Sequence, residues 1–178
     1  LSTKTTNGAL TGTYTSSITG LAPATLYYVR AYATNSIGTA YGPQSNFTTL
    51  AIAPTISATA SATSITSSTA TIGGTITSDG GAAVTSRGLV WGTSPGSTTF
   101  SATTGTGIGA FSTNLSSLSS ATTYYVRAFA TNSVGTAYGN EIQFTTTAIA
   151  PTVTTADVSS ILTTSATSGG NVTSDGGS

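Results

Sequence analysis

The sequence contains no cysteine, no histidine and no methionine. Charge is nearly absent as well: 4 Lys and Arg balance 4 Asp and Glu, which is 4% of 178 residues, against about 25% in an ordinary soluble domain. Each absence excludes a chemistry. Without thiolate or imidazole there is no ligand set for structural zinc, haem or an iron–sulfur cluster. Neither a Ser-His-Asp nor a Cys-His catalytic unit can be assembled. The four acidic residues stand singly along the chain, so no calcium cage is expected. A net charge of +0 leaves no electrostatic footprint for nucleic acid. No apolar run approaches the roughly 18 residues that a membrane-spanning helix needs. The expectation is a chain without cofactor, metal or enzymatic activity, and one not stapled by disulfides. Lack of cysteine does not by itself assign a redox compartment.

What is present is hydroxyl, glycine and aromatic ring. Ser and Thr account for 69 residues, beside 21 Gly, 8 Tyr and 5 Phe. Disordered low-charge chains also lack aromatic and β-branched residues, and this one does not, so β structure with a packed core is expected. No stretch carries a helical period. The opening residues Leu1-Ser2-Thr3-Lys4 lack the pattern of a secretory leader, so the signal of a secreted protein would lie outside this segment.

Self-similarity organises the chain. The run from Leu26 to Gly42 recurs from Thr123 to Gly139 with three changes, Leu→Thr, Tyr→Phe and Ile→Val. The offset of 97 also carries Ala51-Ile52-Ala53-Pro54-Thr55 onto Ala148-Ile149-Ala150-Pro151-Thr152, and an offset of 96 carries Thr77-Ser78-Asp79-Gly80-Gly81 onto Thr173-Ser174-Asp175-Gly176-Gly177. The phase predicts three pieces: 1–52 as the C-terminal half of a repeat, 53–149 as a complete repeat, and 150–178 as the opening of the next. The chain then reads as a window on a longer array. Completion of the partial pieces by neighbouring copies is a second possibility, weakened because a counterpart of about 84–97 would still be missing.

Within the complete repeat, seven strands are expected near 55–63, 68–77, 84–92, 98–104, 109–115, 122–132 and 136–147, with turns at Asp79-Gly80-Gly81, Ser94-Pro95-Gly96, Gly105-Thr106-Gly107 and Asn132–Gly135. Seven short strands over this length fit an immunoglobulin-like β-sandwich. In the run 122–132, Tyr124, Val126, Ala128 and Ala130 alternate with Tyr125, Arg127, Phe129 and Thr131. The charge of Arg127 assigns the second set to solvent and the first to the core.

These residues carry a resemblance. Leu21-Ala22-Pro23-Ala24-Thr25-Leu26-Tyr27-Tyr28-Val29-Arg30-Ala31 resembles the E–F corner and F strand of fibronectin type III domains. Asn35-x-x-Gly38 resembles their F–G turn, and Phe47-Thr48-Thr49 their last strand. The second copy agrees at Leu118, Thr122, Tyr124, Val126, Ala128, Asn132, Gly135 and Phe144, with Ser120 in place of the proline. The resemblance implies that Tyr27 and Tyr124 are structural tyrosine-corner residues whose hydroxyls bond nearby backbone. The whole unit is similar to fibronectin-III-like repeats of large secreted and surface proteins of Bacteroidota-type bacteria, among them adhesins of gliding bacteria. Gly73-Gly74 leading to Thr77-Ser78-Asp79-Gly80-Gly81, Arg87-Gly88-Leu89-Val90-Trp91-Gly92-Thr93-Ser94, and Gly109-x-Phe111 carry that likeness. It departs from animal repeats in having Gly73 or Gly74 where they place a tryptophan; Trp91 is expected to fill that space. There is no Arg-Gly-Asp, so integrin binding is not implied.

Three features remain as candidate sites. Tyr28, Arg30 and Tyr32, repeated as Tyr125, Arg127 and Phe129, form an exposed strip, with Arg87 and Trp91 as further members. Such a strip stacks either on a sugar or protein ligand or on its own sheet. The glycine-rich loops serve either binding or tight turning. The joints, Phe-Thr-Thr-x-Ala-Ile-Ala-Pro, leave almost no spacer; Pro54 and Pro151 stiffen them, and Ile52 and Ile149 are expected to tuck into the seam. The expected fold is tandem fibronectin-III-like β-sandwiches. The expected function is an extracellular structural repeat of a bacterial surface adhesin or filament. Its expected partners are adjacent repeats, other copies of the chain, and a glycan or surface ligand. The alternative is a spacer or carbohydrate-binding accessory module of a secreted polysaccharide-degrading enzyme.

Overall fold

Short runs of Val, Ile, Thr, Tyr and Phe, interrupted by Gly, Asp and Asn, favour pleated strands closed by tight turns. The computed structural model describes residues 3–9 and 11–177, and no helix occurs among the described residues. Leu1, Ser2, Leu10 and Ser178 lie outside the described residues. The strands are β1 (Leu26–Val29), β2 (Tyr32–Thr34), β3 (Thr39–Tyr41) and β4 (Ser45–Thr48), then β5 (Thr55–Thr59), β6 (Ala70–Ser78), β7 (Ser86–Gly92) and β8 (Phe100–Gly105). They continue with β9 (Gly109–Leu115), β10 (Thr123–Thr131), β11 (Thr136–Tyr138), β12 (Ile142–Thr145), β13 (Thr152–Thr155) and β14 (Gly170–Ser174).

All pairings are antiparallel. One sheet has the order β5-β6-β9; the other runs β11-β10-β7-β8, with β12 also on β10. Their inner faces interdigitate. Ile72 of β6, Leu89 of β7, Leu115 of β9 and Val126 of β10 are at most 1% exposed and share one core cluster. Each such side chain contributes roughly 1.5–3 kcal/mol by leaving water. The alternation of β10 puts Tyr124, Val126, Ala128 and Ala130 in the core. The Tyr124 ring lies against Phe144 at 5.8 Å, as Tyr27 lies against Phe47 at 5.8 Å.

At Gly74 the two sheets come too close together to admit a side chain. A methyl group there would stand 2.6 Å from Cβ of Ala128 and 3.2 Å from Cε1 of Phe111. This corrects the expectation for Trp91: the space left by a missing tryptophan is closed by Ala128 and Phe111. Trp91 instead sits half-buried at the margin of the core, stacked on Phe100 at 5.8 Å.

The stretch 136–147 is not one strand. Gly139-Asn140-Glu141 separates β11 from β12, so β10 has a gap in its ladder. At that gap Ala128 N donates to Thr59 Oγ1 at 3.0 Å, and the Thr59 hydroxyl donates to Asn140 O at 2.6 Å. Thr59 N donates to Asn140 Oδ1 at 2.8 Å. Thr59 is 4% exposed and joins the edge strand of one sheet to the centre of the other. Gly139 is glycine because a methyl group would stand 2.8 Å from Thr59 Oγ1. The strand expected over 55–63 likewise ends early, at Thr59.

On either side of this sandwich the chain forms smaller pairs. β1 pairs with β4 and β2 with β3 before it; β13 pairs with β14 after it. The pairing Tyr27↔Phe47 repeats Tyr124↔Phe144, and Tyr32↔Tyr41 repeats Phe129↔Tyr138.

Thr59→Val keeps the shape of the side chain and removes its hydroxyl. Ala128 N and Asn140 are then left short of a partner, and urea unfolding is expected to show a loss of about 1–3 kcal/mol, whereas Thr59→Ser loses much less.

Candidate functional site

The outer face of β10 carries Tyr125, Arg127 and Phe129, all half-buried. Directly opposite on β7 stand Gly92, Val90 and Gly88. Small residues there let the long side chains lie down on the sheet. A methyl group on Gly88 would come 3.0 Å from Cε1 of Phe129, so the ring covers that glycine. Arg127 extends the other way, across β11. Its guanidinium lies 4.8 Å from the centre of the Tyr138 ring, and Nε donates to Gly139 O at 3.1 Å. The first copy repeats this: Arg30 lies 5.6 Å from the Tyr41 ring and Nε donates to Gly42 O at 3.1 Å. Tyr32 tilts against Tyr41 at 6.3 Å and donates its hydroxyl to Thr5 O at 3.1 Å, with Lys4 Nζ 5.4 Å above its ring. Tyr28 is more open than Tyr125, at 60% exposure, because β7 flanks β10 whereas β1 pairs only with β4 among the described residues.

Arg87 and Trp91 do not join this strip. The β7 register alternates them with Gly88 and Val90, so they share the inner side with Leu89. Arg87 lies over the Phe111 ring at 5.4 Å, and its Nη1 faces the carbonyls of Gly107, Ile108 and Gly109 at 2.9–3.3 Å. It holds the loop before β9. The expectation that Arg87 and Trp91 extend the strip of Arg127 is corrected by the register of β7, which sets them opposite Ala130 and Val126 on the core side.

The two corners built around Tyr27 and Tyr124 are alike. Ala22 N donates to Tyr27 Oη at 2.8 Å, and Ser119 N donates to Tyr124 Oη at 2.9 Å. A threonine completes each corner and was not anticipated. Thr146 accepts from Thr122 N at 2.9 Å and donates to Ser119 O at 2.6 Å; Thr49 accepts from Thr25 N at 2.9 Å and donates to Ala22 O at 2.6 Å. The matching Phe-Thr-Thr endings of the two copies are the signal that points to them.

Of the glycine-rich loops, Asp79-Gly80-Gly81 and the turn at Asn132 meet neighbouring structure, whereas Gly105 and Gly107 face open space. Asn132 is 5% exposed. Its Oδ1 accepts from Val134 N at 2.9 Å and Gly135 N at 3.1 Å, which closes the turn. Its Nδ2 donates to Ile52 O at 2.7 Å and Asp79 O at 2.8 Å. Ile52 N in turn donates to Gly80 O at 3.0 Å. The seam is therefore made of backbone and an amide. The side chains of Ile52 and Ile149, expected to fill it, stay 49% and 46% exposed. A shallow hollow of about 290 Å³ is lined by Tyr125, Glu141, Ile142 and Gln143, but the Glu141 carboxylate already accepts from Gly96 N at 2.6 Å. No group of three or more His, Cys, Asp or Glu residues able to hold a metal occurs among the described residues, and no helix among them is long and apolar enough to cross a membrane.

No protein-family model and no curated protein matches the chain. Solved structures do. Domains d3–d4 of the rat CD45 extracellular region match at 16% identity over 82% of this chain and 77% of that one, with a TM-score of 0.54. The sensor domain of the anti-sigma factor RsgI4 of Pseudobacteroides cellulosolvens matches at 20% identity over 55% of this chain and 98% of that one, with a TM-score of 0.43. Domains A168–A170 of titin match at 18% identity over 70% of this chain and 41% of that one, with a TM-score of 0.42. The fold is all-β, of the fibronectin type III and immunoglobulin-like sandwich kind.

Tyr124→Phe keeps the ring stack on Phe144 and removes the acceptor for Ser119 N. Its expected cost in urea unfolding is about 1 kcal/mol, the size of one intramolecular hydrogen bond.

Proposed function

We propose that this chain is a non-enzymatic structural repeat of an extracellular bacterial protein, a surface adhesin or filament, in which successive sandwiches abut as a stiff stalk. In this reading residues 53–149 are one whole repeat, and residues 1–52 and 150–178 belong to its neighbours. The observation that carries it is the joint. Ile52, the last residue but one before Pro54, is hydrogen-bonded through both N and O to the following sandwich, at 3.0 and 2.7 Å. A flexible spacer would leave both groups to water. The residue inventory supports the absence of catalysis, since nucleophile, base and metal ligands are not assembled. The fold it shares with extracellular domains of CD45 agrees with an outside location.

The strip favours a packing role over a ligand role. Arg127 and Arg30 each spend Nε and a cationic face on their own sheet. A carbohydrate-binding module would need those faces free for a sugar ring. Low charge gives surfaces that hydroxyls keep wet without mutual repulsion, which suits side-by-side packing in a filament.

Electron microscopy of the assembled parent protein tests the proposal. Single-file beads are expected, with an axial period of at least about 30 Å, the length of a nine-residue strand such as β10 at a rise of ~3.3 Å per residue. A flexible chain with no regular period would overturn the stiff-stalk reading. Titration calorimetry with soluble glycans is expected to show no heat; binding abolished by Tyr125→Ala would move the assignment to the carbohydrate-binding alternative.

A further inference from the structure

Ala24 and Ala121 stand at φ +46° and +47°. This left-handed region disfavours any residue with a Cβ, and glycine is its natural occupant. The chain has 21 glycines yet places alanine here in both copies. Strain kept twice at equivalent positions asks what the Cβ does.

In each copy the methyl faces a glycine of the following segment. A Cβ added to Gly81 would overlap Cβ of Ala24, and one added to Gly177 would overlap Cβ of Ala121. The neighbouring glycine is shaped to match. A Cβ on Gly80 would overlap Ile52 O, and one on Gly176 would overlap Ile149 O. Both loops are held open by the same side chains. Gly80 N donates to Ser78 Oγ at 3.0 Å and Gly81 N to Asp79 Oδ1 at 2.9 Å; Gly176 N donates to Ser174 Oγ at 3.1 Å and Gly177 N to Asp175 Oδ1 at 2.9 Å. The alanine is also braced from behind, since Ala24 N donates to Leu50 O and Ala121 N to Thr147 O, each at 3.2 Å. Finally Ile52 N donates to Gly80 O and Ile149 N to Gly176 O, each at 3.0 Å.

From this we infer that the Ser-Asp-Gly-Gly loop is a socket for the left-handed alanine of the preceding repeat, and that this knob and socket set the angle between successive sandwiches. The partner of each loop is thus another repeat of the same kind, recognised by one methyl group and one backbone hydrogen bond. The inference rests on reading the chain as an array of repeats and gives that array its joint. The Gly-Gly pair is needed twice over: positive φ at +71° and +84° for Gly80 and Gly81, and space for the neighbour. A turn that served only its own loop would need the first alone. The loop and the corner lie 57 residues apart in sequence, from Ala24 to Gly81, so only the folded joint couples them.

That distance provides the test. The chain has no cysteine, so Ser36→Cys and Thr103→Cys accept spin labels uniquely, one on each side of the joint. Pulsed electron resonance then reads the spread of the inter-label distance in the full chain. The parent is expected to give one narrow distribution. Gly81→Ala is expected to widen it at least twofold and to speed exchange of the Ile52 amide at least tenfold. Adding Ala24→Gly is expected to restore both, because it removes the knob that the new methyl strikes. Backbone strain at position 81 remains in the double variant, so a defect confined to the loop would not be rescued. A broad distribution in the parent, no effect of Gly81→Ala, or no rescue by Ala24→Gly overturns the inference. These outcomes are separate from the stalk reading, which is judged on the assembled protein: a locked joint in a chain that forms no stalk would keep the knob and socket and remove the stalk.

Discussion

The hydroxyl of Thr59 ties the edge strand of one sheet to the central strand of the other. β10 is the central strand of its sheet, but its partner on one side is split into β11 and β12. The split leaves Ala128 N without a ladder partner where Ala128 packs against Gly74 of the other sheet. Thr59 Oγ1 takes that proton and passes its own to Asn140 O. A buried amide left unpaired costs more than an ordinary hydrogen bond contributes, so this one contact lets the interrupted strand, the glycine at 139 and the close Gly74–Ala128 packing coexist.

The same chemistry recurs wherever a ladder ends. Thr49 and Thr146 close the two corners, and Asn35 and Asn132 close the two turns through Oδ1. In a chain with 4% charged residues, hydroxyl and amide groups do the work that ion pairs share elsewhere. Such bonds are short-ranged and little screened by salt. They also repeat faithfully, because each depends on one small side chain at one register position.

That economy shapes the surface. On the outer face of β10 the long side chains lie along the sheet, as Phe129 does on Gly88. Arginine is held against ring faces and carbonyls, at Arg127 over Tyr138 and Arg87 over Phe111. Outward the sandwich offers hydroxyls together with apolar side chains such as Phe100, Ile108 and Val134.

Much of this was legible in the residues themselves. The repeat at 97, the all-β composition, the strand alternation in 123–131 and the turn glycines are local properties, and the period of two decides which side of one strand is buried. The likeness of Tyr27 to Tyr124 was equally readable. Three things were not. Arg87 and Trp91 were separated from Arg127 by the facing of two strands, which no single strand encodes. The break at Gly139 and its repair by Thr59 join residues 69 positions apart, from 59 to 128. The seam runs through the backbone of Ile52 and the amide of Asn132, with Ala24 against Gly81, and not through the apolar side chain of Ile52, because hydrogen bonds and close fit meet there while that side chain stays half exposed. Sequence alone settled the all-β character and the inward face of β10, since those follow from each residue's own side chain and period. Tertiary structure alone settled which strands face one another, which gaps need a hydroxyl, and where a strained alanine meets a glycine, since those depend on atoms that only folding brings together.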